Sequence, residues 1–150
     1  MKLAEALIER KDLKAKIDQI IARMKESALV QEGDTPAEDV TKLNEVYLSM
    51  MASLEALIIR INKTNSQTML DDLSLADAIT KRDCLKAKIA ATQSVRGTSI
   101  VKRDRYSRAE IKYVRTVDIA KLQSIIDDYS RQYRELDTKI QARNWTADLL

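Results

Sequence analysis

The chain has 150 residues, 45% of them hydrophobic and 33% charged, a net charge of +3, two glycines, one proline, one cysteine and no histidine. That is one domain's worth of chain with enough apolar side chains for a core, and too few turn residues for a many-stranded sheet. The missing histidine removes Ser-His and Cys-His nucleophile pairs and the usual zinc sets, so the reading is an all-α domain over residues 1–150 with no catalytic residue, metal or cofactor.

The first predicted helix carries Leu3, Ala6, Arg10, Leu13, Ile17, Ile20 and Met24 at alternating spacings of three and four. This is the heptad seam of helices packed at shallow angles. Glu5 and Glu9 stand where a signal peptide would be apolar. In "TPAE", Thr35 reads as an N-cap, Pro36 as the first helical residue and Glu38 as the reciprocal acceptor of a capping box. The second helix then carries Val40, Leu43, Tyr47, Met50, Leu54, Leu57 and Ile61 on its seam. Its stretch from Val46 to Leu54 is the longest without a charge, well short of the ~20 apolar residues that cross a bilayer. No membrane contact is expected, and the lone Cys84 suits a reducing compartment, which places the protein in the cytoplasm.

Ser74 and Asp77 in "SLAD" mark the start of a third helix, with Leu75, Ala78, Arg82, Leu85 and Ile89 on its seam. A fourth carries Ile119, Leu122, Ile126, Tyr129, Tyr133, Leu136 and Ile140. Between them, Ser107 and Glu110 in "SRAE" suggest a short extra helix. Helix three repeats helix one at an offset of 72: "LAEALIERKDLKAKI" and "LADAITKRDCLKAKI" are identical at nine of fifteen positions, several of them off the seam. Helix four repeats helix two at an offset of 79, so that "INKTN" falls on "IQARN". The expected architecture is therefore a duplicated helical hairpin, residues 1–70 and 71–150, closing into an antiparallel four-helix bundle of coiled-coil type.

Three features stand out as candidate binding residues. Arg10 and Arg82 occupy equivalent seam positions, where a guanidinium needs a partner. If Leu3 packs opposite Ile61, Arg10 falls beside Glu55, and Arg82 comes within reach of Glu135 or Asp137. These pairs would fix helix register, or the two arginines would converge on an anionic ligand. Residues 96–115 hold seven basic and two acidic residues, +5 against +3 for the whole chain, so the remainder sums to −2. There Arg105, Arg108, Lys112 and Arg115, interleaved with Tyr106, could grip the phosphates of a nucleic acid or a phosphorylated small molecule. Finally, Asn62 and Asn65 near the end of helix two, with Asn144 and Trp145 near that of helix four, read as helix caps, or as a subunit contact through Trp145. The acidic neighbours Asp71/Asp72 and Asp127/Asp128 read as surface acids. The long seams and the flanking Ile21, Met51 and Ile58 point to self-association as an interaction or scaffold protein.

In order and over essentially the whole chain, "MKLAEALIER", "QEGDTPAED", "INKTN", "DRYSRAEIKYV", "TVD" and "LDTKIQARNW" resemble the septicolysin-like family of small bacterial proteins. The resemblance implies an all-helical protein without an established activity. Family patterns would map onto Arg10, Asn62, Asn65, Arg105, Tyr106, Arg108, Asp118, Asp137, Asn144 and Trp145, with no role attached. The label suggests a membrane-acting cytolysin, whereas seams suited to one another and the lack of a membrane-inserting segment point away from one.

Overall fold

The computed structural model describes residues 1–100 and 113–150. The helix expected at Ser107–Glu110 lies outside the described residues. Four helices dominate: α1 (Leu3–Ser27), α2 (Val40–Gln67), α3 (Leu75–Thr98) and α4 (Ile119–Thr146). A small antiparallel sheet, β1 (Met69–Leu70) and β2 (Leu73–Ser74), pairs Met69 with Ser74 and Leu70 with Leu73. Strands of two residues leave no alternation in a sequence, so this sheet went unforeseen. Its turn places Asp71 at φ 52°, a left-handed conformation that aspartate tolerates better than most residues.

The helix bounds follow local chemistry. The second helix begins at Val40, four residues beyond Pro36, and its N-cap is Asp39 in place of Thr35. The Asp39 carboxylate accepts the Thr41 and Lys42 amides at 2.9 and 3.4 Å. Glu38, expected to complete a capping box, instead accepts Arg23 Nε at 2.7 Å and a second, bidentate bond from Arg23 Nη2. A charge-assisted fork outcompetes a neutral cap for that carboxylate, so helical geometry starts one residue after Asp39. Further on, α3 starts directly after Ser74, and α4 directly after Asp118, whose Oδ1 accepts the Lys121 amide at 3.2 Å. Both α2 and α4 have 28 residues, and their first residues are 79 apart (119 − 40); those of α1 and α3 are 72 apart (75 − 3).

The chain divides into two compact units, one of Met1–Leu75 with Gln141–Leu150, the other of Ala76–Ile140. In the first, α1 packs on α2, burying Leu3, Ala6, Ile17 and Ile20 together with Leu43, Leu54, Leu57 and Ile61. All eight are seam positions, and each buried Leu or Ile stabilises by roughly 1.5–3 kcal/mol. The chain ends join this unit. Leu3 N donates to Ala147 O and Leu149 N to Met1 O, each at 2.9 Å, while Arg60 Nε donates to Leu150 O at 2.9 Å.

Among the described residues of the second unit, Ala78, Leu85, Ile126 and Ile140 are the buried apolar ones. Polar links between α3 and α4 accompany them. Arg82 pairs with Asp137, Arg96 Nη1 donates to Gln123 Oε1, and the Lys88 ammonium lies 5.5 Å from the centre of the Tyr129 ring, close enough for a cation–π attraction. Among the described residues no helix is long and apolar enough to cross a membrane.

Candidate functional site

The two seam arginines have different surroundings. Arg82, mostly buried, donates Nη2 to Asp83 at 2.8 Å and Nη1 to Asp137 at 3.2 Å. Partial desolvation pulls its pKa down, but the hydrogen bonds and charges of Asp83 and Asp137 outweigh this and leave it above the ordinary arginine value. Arg10 is half-buried and makes no ion pair or side-chain hydrogen bond among the described residues; the expected pairing with Glu55 is absent. The sequence gives the reason: at offset 79 Asp137 corresponds to Ile58, and at offset 72 Asp83 corresponds to Lys11. Both acids of the Arg82 site are missing from the Arg10 site. Each arginine belongs to a different compact unit, and Arg82 has its charge met within its own.

The matched helix ends lie in the first unit. Asn65 and Asn144 fall inside the last turns of α2 and α4 rather than capping them. The side-chain oxygens of both are buried with no protein donor, as is the Arg143 Nε without an acceptor. Asn62 is exposed, and Trp145 is 57% exposed. Nearby, Thr64, fully buried, donates Oγ1 to Arg60 O at 2.9 Å and accepts Leu150 N at 3.0 Å. The Lys2 ammonium pairs with Asp148 at 2.8 Å and donates to Thr146 O at 3.2 Å. Through its hydrogen bond and charge, Lys2 holds the Asp148 carboxyl below the usual range. Lys2, Thr64 and Asp148 escaped the sequence reading because their spacing along the chain carries no periodic signal.

Of the basic connector, Arg105, Tyr106, Arg108 and Lys112 lie outside the described residues. Arg115 is exposed and donates Nε to Ser99 O at 3.1 Å. With Tyr113, Val95 and Ile100 it helps to line a cavity of about 410 Å³. Among the described residues no group of three or more Cys, Asp or Glu is placed to hold a metal ion.

An apolar cavity of about 280 Å³ lies in the first unit and is lined by Ile21, Met24, Lys25, Ala28, Val40 and Tyr47. Met24, Val40 and Tyr47 are seam residues, yet each stays partly exposed. Along α2 the apolar side chains Leu48 and Ile59 remain 57% and 59% exposed and Met51 37%. At offset 79 the same positions of α4 are Asp127, Thr138 and Ser130. The outer surface of α2 is thus apolar where that of α4 is polar.

The profile of a family of unknown function (DUF6847) matches residues 10–149. The chain belongs to that family. A crystal structure described as that of a functionally unknown conserved protein from Corynebacterium diphtheriae is similar to it at 36% identity, covering 100% of this chain and 99% of that one, with a TM-score of 0.92. No curated protein matches. These findings correct the septicolysin-like resemblance: the matching family and the similar structure both carry no known function, and neither points to that group.

Proposed function

We propose that the protein is a non-catalytic, cytoplasmic interaction or scaffold protein that works by homo-oligomerisation. Its unit of packing would be a duplicated helical hairpin, and antiparallel four-helix bundles would form where hairpins of two chains meet. The single observation that carries this reading is that Leu48, Met51 and Ile59 of α2 stay exposed in the hairpin that also holds an apolar cavity. Contiguous exposed apolar patches mark interaction surfaces. The shared offsets of the helix bounds support the duplication. Native mass spectrometry of the purified protein tests the function: multiples of 17.1 kDa without extra mass are expected, and monomer at ~100 μM would overturn it.

A second reading is favoured by the cavity at Tyr113 and Arg115. A phosphate-bearing ligand, either nucleic acid or a phosphorylated small molecule, would be held there by the connector through Arg105, Arg108, Lys112 and Arg115. It requires affinity for a single-stranded oligonucleotide that falls steeply with added salt. Absence of binding at low salt removes it.

A further inference from the structure

In an antiparallel helical hairpin the e positions of both helices fall on one flank and the g positions on the other. Taking Leu3 and Tyr47 as a positions, the e flank of the first hairpin carries Leu7, Lys14 and Ile21 from α1, and Asn44, Met51 and Ile58 from α2. The g flank carries Glu9, Lys16 and Arg23 with Val46, Ser53 and Arg60. Only the first is largely apolar. Helices that face a core on two sides carry apolar residues at a, d and one of e or g, whereas a lone pair needs only a and d. The e flank also holds the cavity of Ile21, Met24, Ala28 and Tyr47.

The second hairpin shows what a closed flank looks like. Its e positions are Ile79, Lys86 and Gln93 with Gln123, Ser130 and Asp137. Two of its seam arginines reach across to them: Arg82 to Asp137 and Arg96 to Gln123. The corresponding pairs in the first hairpin are Arg10 with Ile58 and Met24 with Asn44, and neither forms a hydrogen bond among the described residues. One hairpin satisfies its flank internally; the other leaves it apolar and partly exposed, with Leu7, Ile21 and Ile58 half-buried and Met51 37% exposed.

We infer that this open flank binds the same flank of a second copy, so that the first hairpins of two chains form an intermolecular antiparallel four-helix bundle. This deepens the homo-oligomer reading and rests on it. Charge identifies the occupant. Along the outer edge of the flank α1 carries Lys11, Lys14, Asp18 and Lys25, a net of +2 (3 − 1), whereas α2 carries Leu48, Met51, Glu55, Ile58 and Asn62, a net of −1. A two-fold along the helices that lays α1 of one copy on α2 of the other keeps their levels and brings opposite edges together, with Lys11 nearest the second copy's Glu55. Parallel edges would oppose lysines. Area agrees: from Leu7 to Ala28 the flank runs ~32 Å along α1, and two helix widths of such a face approach the ~800 Å² a side of a standard interface.

The test is sedimentation equilibrium of the full chain and of surface variants, with circular dichroism to confirm that helix content is retained. Leu48→Glu and Met51→Glu, both at exposed positions, are expected to raise the dimer Kd at least tenfold, because a two-fold interface meets each change twice. Ser130→Glu, at the position equivalent to Met51 in the second hairpin, is expected to leave it unchanged. Lys11→Glu is expected to weaken the dimer, and Lys11→Glu with Glu55→Lys in the same chain to restore it. A dimer indifferent to Leu48→Glu and Met51→Glu overturns the flank while self-association stands. A wild-type monomer at ~100 μM overturns both.

Discussion

Arg10 and Arg82 are the same residue at the same heptad position, and their surroundings make them energetically different. Arg82 gives its guanidinium to Asp83 and Asp137; at the matching offsets from Arg10 the residues are Lys11 and Ile58. Removing one partner of a mostly buried, hydrogen-bonded charge costs more than removing a charge that has no partner. Asp137→Ala is therefore expected to destabilise by about 1–3 kcal/mol, and Arg10→Met by less than ~0.5 kcal/mol, or to stabilise. Urea denaturation of the two variants measures both, and equal losses would contradict the asymmetry. Heptad register alone was enough to bring Asp137 within reach of Arg82. The same register put Glu55 beside Arg10, where no pair forms: level along the axis is not the same as facing across the seam. The asparagines show a similar gap. Their matched positions were visible at offset 79, but the burial of their oxygens depends on what the chain ends bring to the first unit.

Among the elements, helix starts were legible wherever a cap stood alone. Ser74 precedes Leu75 and Asp118 precedes Ile119, as the seams required. Around "TPAEDV" the cap read at Thr35 falls instead on Asp39, and the outcome turns on a residue fifteen positions before Glu38, Arg23, which engages that carboxylate. No local rule sees that pairing. It follows that Asp39→Ala should cost about 1 kcal/mol, the usual worth of an N-cap side chain, while Thr35→Ala should leave thermal stability unchanged. A larger loss at Thr35 would mean that the helix begins earlier than Val40. The Glu38 carboxyl, held below its usual range first by the hydrogen bond from Arg23 and then by its charge, adds a pH signature. A depressed carboxyl contributes above its unfolded pKa, and that contribution fades as the pH falls through the folded value. Amide protection in the α1–α2 loop, taken relative to the intrinsic exchange rate at each pH, should accordingly be higher at neutral pH than under acid conditions, and Arg23→Gln should remove that dependence.

At the scale of the molecule, the four helices and their offsets were readable because periodicity repeats over many residues, so single exceptions such as Arg10 do not hide it. The division into units was not readable. The last residues, "ADLL", carry no pattern, yet Gln141–Leu150 belongs with Met1–Leu75. They join it by backbone bonds from Leu3 and Leu149, by Arg60 and Thr64 on Leu150, and by the Lys2–Asp148 pair. Ala147 is buried and Leu149 half-buried. Deleting residues 147–150 removes those hydrogen bonds, worth about 1 kcal/mol each net, and leaves the buried Leu3 amide and Thr64 hydroxyl short of partners. The first unit should lose roughly 2–4 kcal/mol. Hydrogen exchange locates the loss: protection should fall in the first turns of α1 and the last turns of α2, while amides of α3 and α4 between Ala76 and Ile140 keep their rates. The Asp148 carboxyl, lowered by Lys2, makes the same clasp acid-sensitive. Its contribution is complete above the ordinary aspartate pKa and disappears as the pH drops through the depressed folded value. Asp148→Asn should abolish that acid step and leave the neutral-pH backbone bonds in place. Loss of protection throughout both units on deletion would show instead that the chain unfolds as one cooperative block.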